Sequence, residues 1–298
     1  MKISVLIAAY NAAPYIAEAI SAVRSQSHRD WELIVVEDGS HDGTEEIVRK
    51  IAAQETRLIR YENLGENQGV AAARNRLLKL ATGDASAFLD ADDFWSPDHL
   101  EHGVHALKEG ADIVVTGVRT FDLKSKRELE QVVPPSTLES DPVRTLFLES
   151  VIVTSSCIFL SRAIAQRTGE FDRKFRIGED RDYWLRAALA GACFTIEPGL
   201  TCLYAKHPNS AMHRTLLVAQ QIVQFYEKYF RLGEVPAWLR KRELARALLS
   251  EARLLRATNP KASVQQIWRA WRLTPYDLRL ASQLAFSGGR AAFARESR

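Results

Sequence analysis

Short unbroken apolar runs alternate with stretches of helical periodicity along the first part of the chain. Ile3 to Ala9 and Trp31 to Val36 read as strands covered on both faces, because nearly every position is apolar. Between them, after Pro14, Ile16, Ala19, Ile20 and Val23 recur at helical spacing. Ile47, Val48 and Ile51 mark a second helix, Leu58 to Tyr61 a third strand, and Val70 to Leu80 a helix that Thr82-Gly83 stops. The run Ala87 to Leu89 is the next strand. Ser96-Pro97 then predicts a helix start, serine at the N-cap and proline first in the helix, with Leu100, Val104 and Leu107 facing inward. Ile113 to Val118, Thr154 to Leu160, Cys193 to Ile196 and Leu200 to Ala205 are further strands. Trp184, Leu185, Ala188 and Leu189 form the inner face of a helix opening near Glu179. Residues 119–145 are polar, carry Pro134-Pro135, and predict a loop over the site or a partly mobile segment. Strands alternating with helices mean an α/β fold, a mostly parallel sheet with flanking crossover helices.

Beyond residue 213 the pattern is helical only. Ala245, Leu248, Leu249, Ala252 and Leu255 form one apolar stripe, and Ile267, Trp268, Trp271 and Leu273 form another, with both tryptophans expected in a core. The expected division is an α/β domain over 1–212 and a helical extension over 213–298.

Composition adds little until charge is mapped. The 298 residues are 46% hydrophobic and 26% charged, ordinary for a globular protein. No apolar run is long enough for a membrane span, and the N-terminus reads as a strand, not a signal peptide. Cys157, Cys193 and Cys202 have no Cys-x-x-Cys pairing, so they read as small core residues in a reducing, cytoplasmic setting. The net charge of +3 conceals an asymmetry: residues 231–298 hold fourteen Lys/Arg against five Asp/Glu, or +9, leaving −6 for residues 1–230. A basic tail on an acidic body raises the question of an anionic partner; its faces read as solvated, with docking on anionic lipid at the inner face of the membrane the sharper alternative. Nucleic acid is disfavoured by the acidic body and by the lack of aromatic and basic residues interleaved on a strand.

Three acidic clusters sit at element ends: Glu37-Asp38, Asp90-Ala91-Asp92-Asp93 and Glu179-Asp180. If all three meet at one sheet edge, they line the crevice where open α/β sheets bind ligands. The first can accept hydrogen bonds from a base or sugar hydroxyl. The second can hold a hard divalent cation against a diphosphate. Asn67-Gln68-Gly69 ahead of a helix offers backbone amides to an anion, Arg74 adds a positive charge one turn later, and Tyr10 a stacking face. There is no Walker A sequence and no Gly-x-Gly-x-x-Gly after the first strand. The phosphates then fall chiefly to a metal, and a P-loop kinase or hydride transfer is excluded.

Taken in order, Ile7-Ala8-Ala9-Tyr10-Asn11, Val36-Glu37-Asp38-Gly39-Ser40-x-Asp42-Gly43-Thr44, Asn67-Gln68-Gly69 with Ala73-Arg74-Asn75, Asp90-Ala91-Asp92-Asp93 and Glu179-Asp180-x-Asp182 resemble the inverting family 2 glycosyltransferases. The resemblance covers residues 1 to 210 and implies a GT-A fold, a nucleoside-diphosphate sugar donor, a saccharide or lipid-linked acceptor, and Mn2+ or Mg2+. It further implies that Ala8, Tyr10 and Asp38 line the nucleoside pocket and that Arg74 lies near the base or phosphates. Asp92 would contact the metal, with Asp90 nearer the ribose. Asp93 would stand behind the metal ligands or cap a helix, with Glu179 also in support. Asp180 matches the general base, and His207 falls where some members contact metal or diphosphate. Glu37, Ala8 and Ala9 depart from the usual residues without removing a charge. The Gln-x-x-Arg-Trp signature of processive members is absent, since Gln265, Gln266, Arg269 and Trp271 are wrongly spaced. Transfer of one sugar per encounter is the expectation. The alternatives are a sugar-1-phosphate nucleotidyltransferase, which should carry a glycine- and arginine-rich first loop, and a catalytically silent carbohydrate-binding protein, which should lack the carboxylates.

Overall fold

The structure, a computed structural model, describes residues 1–55, 59–125, 127–206 and 215–275. The chain divides into two units, Met1–Pro208 and Asn209–Arg298.

In the first unit β1 (Ile3–Ala9), α1 (Ile16–Arg24), β2 (Trp31–Glu37), α2 (Thr44–Ala52), β3 (Ile59–Asn63), α3 (Val70–Leu80) and β4 (Ala85–Asp90) alternate as the periodicity predicts. Leu58 lies outside the described residues. The four strands pair in parallel in the order β3-β2-β1-β4. Every residue of β2 and all but Ala8 of β1 are buried, as befits strands with helices on both faces. The rest of the unit is β5 (Phe94–Trp95), α4 (His99–Lys108), β6 (Ile113–Asp122), β7 (Glu128–Val132), α5 (Thr137–Ser140), α6 (Pro142–Leu148), β8 (Ile158–Ser161), α7 (Arg162–Thr168), α8 (Glu179–Leu189) and β9 (Phe194–Lys206). These strands extend the sheet as β4-β8-β6-β9-β5, with β7 on β6. Strand β8 runs antiparallel to both neighbours, whereas β6 and β9 are parallel.

Four departures from the periodicity have physical causes. Helix α4 begins at His99, not at Pro97. The Ser96 hydroxyl donates to Asp98 at 2.5 Å instead of accepting a helix amide, and Phe94–Trp95 are drawn into pairing with β9. The two strands expected at Cys193 to Ile196 and Leu200 to Ala205 are one strand, β9, whose register to β6 breaks between Thr116 and Val118. Gly117 sits at that break, where a Cβ would lie 2.9 Å from the Pro198 carbonyl oxygen. The expected loop 119–145 is instead the end of β6, the edge strand β7 and two short helices. Four of the five β7 residues are exposed, so its polarity hid its pairing. Leu189 and Cys193, expected inside, are exposed, while Cys157 and Cys202 are buried.

The second unit carries α9 (Thr215–Lys228), α10 (Ala237–Leu255) and α11 (Pro260–Leu273). Ala245, Leu248, Ala252 and Leu255 are buried as predicted, whereas Leu249 of the same stripe is only half-buried. The Ser263 hydroxyl donates to the Ala252 carbonyl at 2.7 Å and the Gln266 amide to Glu251 at 3.0 Å, joining α11 to α10. Trp268 is not core. It is 49% exposed, because α11 turns Ser263, Ile267 and Ala270 inward and its 3.6-residue period puts Trp268 on the other side. Among the described residues no helix is long and apolar enough to cross a membrane.

Candidate active site

Register assembles the site. Ala8 lies opposite Val36 on one side and Asp90 on the other, and Ala9 lies opposite Glu37. Tyr10, Asp38 and Ala91-Asp92 therefore leave the sheet together, at the carboxyl ends of parallel strands. Tyr10 is 53% exposed, and Asn11 after it has a positive φ of 51°. The amides of Asn11, Ala12 and Ala13 donate to Ser40 Oγ, Thr44 Oγ1 and Asp42 Oδ2 at 2.9, 3.1 and 2.9 Å. The turn after β2 thus holds the turn after β1.

Asp38 is buried, and its carboxylate accepts from the Gln68 and Gly69 amides at 2.7 and 2.8 Å. The amides expected to serve a ligand anion serve the chain's own carboxylate, which fixes Asn67-Gln68-Gly69 beside the end of β2. Asn67 itself is exposed. Gly39 makes this approach possible: its φ is +72°, and a Cβ there would lie 2.5 Å from the Glu66 carbonyl carbon. Gly39→Ala is expected to destabilise the protein by about 1–3 kcal/mol and to weaken nucleotide binding. Denaturant titration and nucleotide-induced thermal shifts measure the two effects. Glu37, also buried, accepts a hydrogen bond from the Tyr61 hydroxyl. Burial first, and then this carboxylate, push the Tyr61 pKa up.

A buried arginine joins the other two acidic clusters. Arg74, on α3, is 4% exposed. One guanidinium nitrogen donates to Glu179 Oε1 at 2.5 Å and another to Asp90 Oδ1 at 2.9 Å. Its positive charge also acts on Asp180. Burial pushes the Glu179 carboxyl up to about 7, against the opposing pull of Arg74. Asp180 stands half-buried in the first turn of α8, its Oδ1 accepting from the Arg181 amide at 2.7 Å. The Arg181 side chain donates to the carbonyls of Leu146 and Phe147 at 2.9 and 2.7 Å, pinning the end of α6 beside it. A narrow crevice there is lined by Asp180, Ser150, Ile152 and Trp184. A larger cleft between α3 and α7 contains none of the predicted site residues.

Asp93 has a different role from its neighbours. It is fully buried and accepts from Ser156 Oγ, Thr154 Oγ1 and the Ala205 amide at 2.6, 2.9 and 3.0 Å. It caps no helix; it ties the acidic turn to β9 and to the segment before β8. Burial, then Asp92 and Asp90, push its carboxyl well above the usual range. Thr154 also donates to Asp90 Oδ2 at 3.2 Å, and Ser156 Oγ accepts from the Asp90 amide at 2.9 Å. Sequence reasoning treated Thr154 to Leu160 as plain strand and missed these two hydroxyls. The signal was Thr154-Ser155-Ser156 in an otherwise apolar run, since buried hydroxyls need partners.

Among the described residues no three His, Cys, Asp or Glu side chains form a ready metal cage. The donor chemistry nevertheless suits a hard cation. Three carboxylates share one turn, and repulsion from Asp92 and Asp90 adds to burial, the larger cause, in raising the Asp93 carboxyl. Asp93 has both oxygens engaged within the protein, whereas Asp92 is half-buried at the turn. His207 lies outside the described residues.

The family model for glycosyl transferase family 2 matches residues 4–169, more than half of the chain. The chain belongs to that family. EpsE of Bacillus subtilis, a putative glycosyltransferase, is 35% identical to the family 2 chain over 193 residues, covering 62% of it and 66% of EpsE. TuaG of the same organism, a putative teichuronic acid biosynthesis glycosyltransferase, is 42% identical over 107 residues, 36% of this chain and 42% of TuaG. The match thus spans less than two thirds of either relative. Among solved structures, S. aureus TarS 1-349 in complex with UDP superposes with a TM-score of 0.66 at 18% identity, covering 97% of this chain and 87% of that one. The mannosyltransferase PcManGT of Pyrobaculum calidifontis, in complex with GDP-Man and Mn2+, gives 0.62 at 21% identity over 96% and 84%. These likenesses place the family 2 chain in the GT-A fold.

Proposed function

We propose that the chain transfers a sugar from a nucleoside-diphosphate donor to a hydroxyl of a saccharide or lipid-linked acceptor, with inversion, in surface polysaccharide or glycolipid assembly. The observation that carries this reading is the Arg74 bridge, which brings the Asp90–Asp93 turn and the start of α8 together at the carboxyl edge of the parallel strands. Family membership supports the chemistry and weighs against a nucleotidyltransferase. The complexes of TarS with UDP and of PcManGT with GDP-Man support a nucleotide-sugar donor.

In this reading Tyr10 offers a ring to the donor base, and Ala8, with only a methyl, leaves room beside it. Asp38 holds Asn67 to Gly69 as a wall of the same pocket. Asp92 would hold Mn2+ or Mg2+, which supplies positive charge against the departing diphosphate, while Asp90, its two oxygens bonded to Arg74 and Thr154, lies nearer the ribose. Asp180 accepts the proton of the acceptor hydroxyl as that oxygen attacks the anomeric carbon from the face opposite the leaving group. A carboxylate is a weak base for an alcohol, so the proton moves late, once positive charge has built on the attacking oxygen. Arg74 holds Asp90 and also Glu179, the residue before Asp180, and lies near the base or phosphates of the donor. The wrong spacing of Gln265, Gln266, Arg269 and Trp271 for a Gln-x-x-Arg-Trp signature supports one sugar added per encounter.

Thermal unfolding with UDP, GDP or dTDP tests the donor site. A ligand at about a hundred times its Kd adds about 2.7 kcal/mol, equivalent to several degrees for a unit of this size. One of the three, with Mn2+ present, is expected to raise the midpoint, and the Asp92→Asn variant to lose the metal-dependent part. No shift with any of them would remove the donor-site reading.

A further inference from the structure

The last two described helices sort their charges by depth. Residues 237–275 contain nine Lys/Arg and two Asp/Glu. Both acids, Glu243 and Glu251, are buried, at 7% and 5% exposure, where Arg242 and Arg246 bond the first and Gln266 the second. What faces solvent is therefore basic. On α10 the outward stripe is Trp238, Arg242, Arg246, Leu249 and Arg253, spaced by three or four residues, with Trp238 60% exposed. The Arg242 guanidinium lies 5.3 Å from the Trp238 ring centre. On α11 the outward stripe is Lys261, Gln265, Trp268 and Arg272, all exposed.

Each helix thus presents an indole flanked by cations and no exposed acid. A protein interface is also rich in Trp and Arg but gathers them around an apolar core, and besides the two indoles only Leu254 is a large exposed apolar residue on these helices. Indoles partition to the headgroup level of a bilayer, and cations beside them are attracted to anionic lipid. Neither helix is apolar enough to cross the bilayer, so contact would be peripheral. Bases stacking on aromatics need a groove, whereas these rings stand on convex helix surfaces. We propose that the outward faces of α10 and α11 are a docking surface for an anionic membrane, with Trp238 and Trp268 at the interface. The inference is independent of the donor chemistry.

The test is flotation of the whole chain with phosphatidylcholine vesicles, with and without phosphatidylglycerol. Binding is expected only with the anionic lipid, accompanied by a blue shift of tryptophan emission and lost as salt approaches about 0.5 M. Removing cations singly, as in Arg246→Ser or Arg253→Ser, is expected to weaken binding about five-fold each. The double variant Trp238→Ala, Trp268→Ala is expected to bind at least about ten-fold more weakly with an unchanged melting curve, since both rings are exposed. Equal binding to neutral vesicles, no binding to anionic ones at low salt, or full binding by the double tryptophan variant would overturn the proposal. So would a preference for an oligonucleotide over the vesicles, or concentration-dependent dimerisation through these faces.

Discussion

Asp180→Asn is expected to leave nucleotide binding intact and to lower transfer by about 10²–10⁴-fold, the range that a positioned base contributes. The substitution keeps size and hydrogen-bond geometry. The amide oxygen can still accept from the Arg181 amide, so the first turn of α8 stays as it is. What is lost is the capacity to take a proton. The separation is measurable because Asp180 and the strand-end residues of the donor pocket sit on different elements. Thermal shift with nucleotide reports the pocket, and product formation reports the base. Near-normal turnover in Asp180→Asn would move the role to another carboxylate.

Arg74→Gln should be the most damaging change to the fold of the first unit. It leaves the Glu179 and Asp90 carboxylates facing one another without their cation, and breaking a buried ion pair from one side costs about 3–5 kcal/mol. For a unit of this size that is a fall of about 10 °C or more in the melting midpoint. The pH dependence gives a sharper signature. Glu179 titrates near 7 in the folded chain, above its usual 4.5, so between those values the folded state holds more protons than the unfolded one. Its contribution to stability is fully present below about 4.5 and is lost as pH rises towards 7. Without Arg74 the Glu179 carboxyl is pushed higher still, so the loss continues above pH 7, and the variant should recover most of its deficit near pH 5. Glu179→Gln on the Arg74→Gln background should flatten the profile. A deficit unchanged between pH 5 and 8 would show that Arg74 does not act through Glu179.

The parallel half of the sheet was legible because β1, β2 and β4 are apolar at nearly every position and each is followed by a helix of clear period. The carboxylates were legible for a related reason, since charges directly after an apolar run have nowhere to sit but a strand end. What escaped was what those carboxylates touch. Nothing in the sequence says that Asp38 spends its oxygens on two backbone amides, or that Arg74 bridges residues 16 positions ahead and 105 positions ahead. Asp93 shows the limit most clearly: it stands in the same run as Asp92, and only the fold buries one and leaves the other half-open. Strand β7 and the outward Trp268 failed for the opposite reason. Edge pairing and helix rotation are tertiary choices that polarity along the chain does not record.

Asn75 adds a second clamp next to Arg74. Its side-chain amide donates to the Phe171 carbonyl at 2.9 Å and accepts from the Phe171 amide at 2.7 Å. Consecutive residues of one helix thereby locate both the approach to α8 and its first turn. Arg181, on α8, fixes the end of α6 to that helix. Four of the five residues of the edge strand β7 are exposed, so that strand can change in sequence while α3, α6 and α8 keep their mutual places.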